Sequence, residues 1–307
     1  MRTTTSNKKI ILGTVQLGMN YGLSKNNLYK SKTNIIKILS YARNRNIEYL
    51  DTARAYGSSE TNIGYYHSNK KDKFKIITKL KNLSGIKKKY LEKEIFENVA
   101  KSRFFLQKSK IDILLIHNYK DLIFHKKEII KYLKKLKKIG LINEIGVSVY
   151  TPEEAIKCLK IKMIKHIQIP FNIIDQRWFK KSFKKKLSIR PDVKIHARSI
   201  FLQGLLLNKK NYWPKWFKNK NKVIKNIEFL IKKLDKSDKV DLCLSYVKSF
   251  DWINYIVIGI NNIKQLKRVL AMHNNKKLSS YQRAFVVSKM RKIASNRILL
   301  PYRWKEN

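Results

Sequence analysis

Four side chains with complementary chemistry stand at the ends of three successive apolar runs in this 307-residue sequence. Asp51 and Tyr56 follow the run at 47–50, Lys79 closes the run at 75–79, and His117 follows the run at 111–116. A phenol titrates near 10 when unperturbed, so Tyr56 can give up a proton near neutral pH only if something lowers its pKa. A neighbouring cation does so by favouring the phenolate, and Lys79 is the cation the next run supplies. Taken singly each residue has an ordinary explanation: a lysine after a strand is usually solvated, and a histidine after Leu-Leu-Ile is usually a satisfied core residue. An acid, a phenol, an ammonium and an imidazole at neighbouring strand ends point to proton-transfer chemistry. Ser148, Gln168 and Asn172 follow at later strand ends.

The elements that must position these groups alternate in type. Strands are expected over 10–17, 47–50, 75–79, 111–116, 144–149, 166–170, 193–197 and 255–258. Helices are expected over 31–45, from Ser59, over 90–106 and 126–138, from Thr151, over 175–187, 222–234 and 239–249, from Asn262, and over 279–294. Gly140 suits a C′ position, and Thr151-Pro152 suits an N-cap followed by proline at N1. Eight strands interleaved with helices, with no Pro/Gly/Ser-rich linker, give an α/β fold: a (β/α)8 TIM barrel in a single domain spanning 1–307. Such a barrel builds its active site at the carboxyl ends of its strands, where the residues above fall.

Composition narrows the remaining classes. The 69 Lys+Arg against 21 Asp+Glu give a formal charge of +48, which fits either a polyanion partner or compositional drift from an AT-rich coding sequence. The lysines are spread along every helix rather than gathered in an arm, and no zinc-finger, RNP-like or basic-helix motif occurs, so no specific nucleic-acid partner is expected. Cys158 and Cys243 lie far apart in apolar helical contexts, as buried reduced thiols do. No HExxH or paired-cysteine spacing suggests a metal, and no G-x-G-x-x-G suggests a Rossmann fold. The first nine residues lead into a strand without an apolar h-region, and no apolar run is long enough to cross a bilayer; a cytoplasmic protein without a membrane partner is expected. No oligomeric state is legible.

The sequence resembles the aldo-keto reductase family. The match is carried by Asp-Thr-Ala-x-x-Tyr-Gly-x-Ser-Glu at 51–60, Ile-Thr-Lys79, Leu-Leu-Ile-His117, Ile-Gly-Val-Ser148, Gln168 with Asn172, Gln203-Gly-Leu-Leu206 and Val-Ile-Gly259. The resemblance implies a catalytic tetrad in which Tyr56 gives a proton to a small-molecule carbonyl, Lys79 held by Asp51 lowers the phenol's pKa, and His117 orients the carbonyl. It implies NAD(P)H as hydride donor, held by Gly13, Thr14, Ser148, Gln168, Arg198, Ser199, Phe201, Gln203, Gly204, Gly259, Asn261, Asn262, Gln265 and Arg268. Within that set, Ser148 and Gln168 would meet the carboxamide. The backbone from Phe201 to Leu205 would meet the pyrophosphate, and the helix after Gly259 the adenosine-side phosphate.

Three departures from the family pattern matter. Val149 stands in place of a common asparagine, and Arg198 in place of the aromatic that commonly stacks on the nicotinamide. Neutral Asn261 and Gln265 stand where the family is often basic, with Arg268-Val269 in place of a Glu-Asn pair. Neutral residues near the 2′-phosphate site lean the expectation towards NADH over NADPH. The loops at 19–28 and 208–221 and the tail at 295–307 are rich in aromatics and lysines, and suit a sugar or sugar-nucleotide carbonyl. A cofactor-binding regulatory barrel with little turnover is the alternative to an enzyme.

Overall fold

Eight parallel strands close on themselves in sequence order in this computed structural model, which describes residues 9–23, 31–68, 70 and 73–304. The strands are β1 Lys9–Gly13, β2 Tyr49–Asp51, β3 Lys75–Lys79, β4 Ile111–Ile116, β5 Ile142–Ser148, β6 Ile164–Pro170, β7 Lys194–Arg198 and β8 Tyr255–Gly259. The helices are α1 Lys32–Asn44, α2 Ser59–Ser68, α3 Leu91–Leu106, α4 Tyr119–Lys138, α5 Pro152–Leu159, α6 Lys181–Ser188, α7 Lys220–Lys233, α8 Lys239–Lys248, α9 Ile263–His273, α10 Ser280–Lys289 and α11 Asn296–Leu299. Pairing of β1 with β8, from Lys9 opposite Tyr255 to Gly13 opposite Gly259, completes the circle and leaves no edge strand.

Alternation along the strands sorts their side chains. Ile11, Ile77, Ile113, Leu115 and Val257 fill the interior with Tyr49 and Tyr255. Their sequence neighbours Leu12, Ile76 and Leu114 join the larger core against the helices. Buried on both sides, β4 reads as the near-continuous apolar run Ile-Asp-Ile-Leu-Leu-Ile. Cys158 and Cys243 are free and buried in α5 and α8.

Most element limits follow local signals. Thr151 forms a capping box with Glu154 ahead of Pro152, and Gly140 takes φ +76° just past α4. Several limits differ from the sequence expectation, among them β2 at Tyr49–Asp51, β5 at Ile142–Ser148 and α7 at Lys220–Lys233. β1 stops at Gly13, because Val15–Leu17 is a 3-10 turn whose apolar side chains prolong the apolar run without prolonging the strand. β6 begins two residues early, at Ile164. The 175–187 segment divides into a turn at Arg177–Phe179 and α6. α4 begins at Tyr119, capped by Asn118, and bends at His125 (φ −135°). α10 ends at Lys289 rather than running to 294. Residues 24–28 of the loop expected at 19–28, and 305–307 of the tail, lie outside the described residues.

Candidate active site

The carboxyl end of β2 is fastened to its neighbours before the chain reaches Tyr56. Thr52 N donates to Ile77 O (2.8 Å) and Arg54 N to Lys79 O (3.2 Å), so the loop continues the pairing with β3. Glu60, 2% exposed, accepts from Thr78 Oγ1 (2.6 Å) and Ser102 Oγ (2.9 Å) and pairs with the Arg54 guanidinium. A buried carboxylate with all these partners ties the loop to β3 and α3 at once. Two glycines let the next loop approach. A Cβ on Gly18 would lie 2.0 Å from Tyr56 O and 2.3 Å from Ser59 N, while Gly57 sits at φ +55° with its Cβ position 2.4 Å from Gly18 O. Replacing either would force the two loops apart at Tyr56.

Inside the rim, Lys79 Nζ donates to Asp51 Oδ1 (2.6 Å) and Thr52 O (2.8 Å), and Gln168 Nε2 donates to Asp51 Oδ2 (2.7 Å). Both carboxylate oxygens are thereby committed. Burial alone would depress the lysine's pKa, but Asp51 and Tyr56 outweigh it and hold the value above the ordinary 10.5. The ammonium lies 4.9 Å from the centroid of the Tyr56 ring. The His117 ring stands edge-on to Tyr56, centroids 5.9 Å apart at 80°. Burial, reinforced by the positive charges of Lys79 and Arg198, lowers the His117 pKa to about 3, so the ring is neutral at pH 7.

Around this group lie the other residues expected to hold a cofactor. Ser148 is buried in register with Gln168. Gly13 pairs with Gly259, and a Cβ on Gly259 would lie 2.7 Å from the Gln16 amide, whose buried Oε1 has no partner among the described residues. After β7 the chain passes through left-handed conformations at Ser199, Leu202, Gln203 and Gly204 (φ +57°, +48°, +54° and +89°). Left-handed backbone costs non-glycine residues roughly 1–2 kcal/mol each, and such turns concentrate where backbone amides are presented to ligands. The amino terminus of α9 follows Gly259. Asn262 caps it by accepting from Gln265 N (2.8 Å), while Gln265 Oε1 accepts from Asn261 N (2.7 Å).

Over this arrangement of barrel and strand-end residues, the aldo/keto reductase family model matches residues 9–290. The chain belongs to the aldo-keto reductase family. It is an oxidoreductase by that membership, in a family that acts on small-molecule carbonyls and generally uses NAD(P)H. The fold is similar to that of AKR11C1, an aldo-keto reductase from Bacillus halodurans solved in its holo form, at 21% identity over 93% of each chain with a TM-score of 0.72. It is also similar to PA4992 of Pseudomonas aeruginosa, assigned to the aldo-keto reductases, at 20% identity over 86% of this chain and 88% of that one, with a TM-score of 0.61. No curated protein matches the sequence.

Against this family background, several expected site residues are engaged elsewhere. Thr14 is fully buried, donating its hydroxyl to Asp51 O (2.9 Å) and receiving from Ser59 Oγ (2.9 Å), so it braces the loop. Phe201 packs on the core. Arg268 donates to Asp238, the N-cap of α8. Asn172 is only half committed: it accepts from Ile174 N (3.1 Å), while its buried Nδ2 has no partner among the described residues. In the insertion at 208–221, Trp213 and Phe217 are buried and stacked (centroids 5.7 Å, 19°), while Trp216 carries the Arg297 guanidinium 4.4 Å above its ring. A hollow of about 310 Å³ between this insertion and residues 292–295 contains none of the tetrad.

Three mouth residues escaped the sequence reading: Gln16, Tyr21 as a contact of Gln203, and Tyr150. Gln203 Nε2 donates to Tyr21 Oη (2.9 Å), and Tyr150 lies under Arg198 and edge-on to Tyr302. Only the contacts across the mouth, between loops far apart in the chain, mark Tyr21 and Tyr150 out. Among the described residues no cluster of three or more His, Cys, Asp or Glu could hold a metal, and no helix is long and apolar enough to cross a membrane.

Proposed function

We propose that this chain reduces an aldehyde or ketone with NAD(P)H, Tyr56 giving the proton. The observation that carries the reading is the buried Lys79–Asp51 pair set against Tyr56, with the ammonium 4.9 Å from the phenol ring. A fixed cation beside a phenol favours the negative charge that develops on its oxygen as the proton is transferred. Asp51 keeps Lys79 charged in a buried site, and Gln168 orients Asp51 through its second oxygen. His117, neutral at pH 7, has one N–H to donate to the carbonyl oxygen and orient it beside Tyr56. The reduced dinucleotide supplies the hydride when bound.

The residues present fit such a cofactor. The Gln16 amide lies against the strand-end pair Gly13–Gly259, and its unmatched Oε1 calls for a donor. The left-handed run at 199–204 and the amino terminus of α9 supply backbone donors for phosphates. For the cofactor's identity we favour NADH. Asn261 and Gln265 are neutral and joined in the α9 cap, Arg268 is held by Asp238, and Lys267 lies 5.4 Å over Tyr41. That leaves Lys264, in the first turn of α9, as the basic side chain there to meet a 2′-phosphate. We take 1–307 as one barrel unit, with 208–221 and 295–307 as loop and tail of the mouth. The exposed Tyr21 and Tyr302 suit a sugar or sugar-nucleotide carbonyl.

The test is oxidation of NADH, followed by absorbance, with reactive aldehydes carrying and lacking sugar or phosphate groups, repeated with NADPH. Turnover with NADH preferred is expected. Tight dinucleotide binding without turnover on any aldehyde would favour a regulatory barrel instead.

A further inference from the structure

The candidate site holds one more fixed cation than it has carboxylates to neutralise. Asp51 spends Oδ1 on Lys79 and Oδ2 on Gln168. Arg198, at the carboxyl end of β7, has no such partner. Its terminal nitrogens reach Ser199 Oγ and Val149 O only at 3.4 Å each, and its guanidinium carbon lies 4.6 Å over the Tyr150 ring. Arg54, Arg177, Arg190 and Arg268, by contrast, each meet a carboxylate. Among the described residues no Asp or Glu makes an ion pair with Arg198. Its guanidinium lies beside Val149 O, just past the carboxyl end of β5, and its charge, after burial and Lys79, lowers the His117 pKa and acts on the Tyr21 phenol across the mouth.

We propose that Arg198 makes the site discriminate between the two redox states of the nicotinamide cofactor, retaining the reduced form and repelling the oxidised one. The inference rests on the dinucleotide-dependent reading above. Hydride transfer takes two electrons and one hydrogen from the neutral dihydronicotinamide ring to the carbonyl carbon. The ring is left as a pyridinium cation, and the carbonyl oxygen takes the Tyr56 proton. The phosphates and riboses are the same in both states, so ring charge is the electrostatic difference the protein can read. With one face of the guanidinium on Tyr150, its charge borders a site of half-buried side chains, where repulsion between like charges is screened less than in open water. The same charge favours the alkoxide developing on the substrate, which offsets its opposition to pyridinium formation during the step. Once the alcohol leaves, repulsion remains and speeds release of the spent cofactor. Arg198 is thus a specificity-determining residue for redox state, and the enzyme loads NADH in the presence of excess NAD+.

The experiment measures dissociation constants of NADH and NAD+ by calorimetry, at fixed ionic strength, for the wild-type protein, Arg198→Met and Arg198→Lys. The wild type is expected to bind NADH at least tenfold more tightly. Arg198→Met should shrink the ratio at least fivefold by gaining NAD+ affinity, and Arg198→Lys, which keeps the charge and loses the plane, should preserve it. A ratio unchanged in Arg198→Met, or lost equally in Arg198→Lys, overturns the inference while leaving the dinucleotide reading in place. Binding of neither form by the folded wild type would overturn that reading itself, and the inference with it. Thermal melting of each variant verifies the fold.

Discussion

The two ends of the barrel interior both gather carboxylate, imidazole and phenol groups, and they differ in where those groups point. At the amino end, His166 bridges Glu144 and His196, with His166 Nδ1 2.8 Å from His196 Nε2. Tyr49 and Tyr255 meet edge-on there, with the Tyr255 ring against His196. These groups are turned on one another, leaving His196 Nδ1 as the unmatched atom. At the carboxyl end, Asp51, Lys79 and Gln168 form an equally closed set, but Tyr56, His117 and Arg198 above it are partly exposed and face the mouth. Buried polarity inside a barrel is therefore a poor marker of chemistry by itself. A closed polar set that supports open, titratable groups is a better one.

Substitutions at the two ends should separate stability from turnover. Lys79→Met at the carboxyl end has the largest expected effect. It removes the cation that favours the phenolate, lowering kcat by about 10²- to 10⁴-fold. It also strands Asp51, 4% exposed, without its charge partner, destabilising the fold by about 3–5 kcal/mol. Both losses should appear together, in steady-state rates and in urea unfolding; loss of stability at full activity would remove Lys79 from the chemistry.

His196→Leu is the counterpart at the amino end. It removes one hydrogen bond to His166 and leaves that Nδ1 unmatched, for about 1–3 kcal/mol of stability, with kcat within twofold of wild type at 25 °C. A drop in kcat of tenfold or more in a folded variant would show that the two ends are coupled.

An effect graded by pH falls on both ends of the barrel and on α2, where His67 lies. Burial lowers the pKa of His67 to about 4 and of His117 to about 3; it lowers His166 against the pull of Glu144, and His196 with help from His166 and Lys79. In the unfolded chain these rings take up protons near pH 6.5. The unfolded state therefore binds more protons below that pH, and stability must fall as pH drops. Stability level above pH 7 and declining from 6.5 towards 4, by up to about 1.4 kcal/mol per pH unit for each ring, is expected from urea titrations. His196→Leu should flatten the decline. Stability rising towards pH 5 would contradict the burial of these rings.

The carboxyl-end set was largely legible in the sequence because its members close or follow apolar runs, where strand geometry fixes their direction. Asp51, Lys79, His117 and Gln168 are placed by their strands, and Tyr56 by a loop whose glycines the sequence displays. The mouth was less legible. Gln16 was absorbed into an expected strand because Val15 and Leu17 prolong an apolar run. Tyr150 and Tyr21 acquire meaning only from Arg198 and Gln203, far away in the chain. The amino-end histidines read only as residues of β6 and β7, since nothing local tells whether an inward imidazole faces a partner or open space. Arg268 reads from sequence as a free cation; its bond to Asp238 depends on how α8 and α9 pack.

The central claim, that the closed Asp51–Lys79–Gln168 set exists to make Tyr56 a proton donor, is tested most directly by Tyr56→Phe. The measurement is kcat for reduction of a reactive aldehyde at saturating NADH, with the NADH dissociation constant determined on the same sample. The phenylalanine keeps the ring beside Lys79 and His117 and deletes only the hydroxyl. Carbonyl reduction should fall by at least about 10²-fold, with NADH affinity within about twofold of wild type. Turnover at the wild-type rate would contradict the claim.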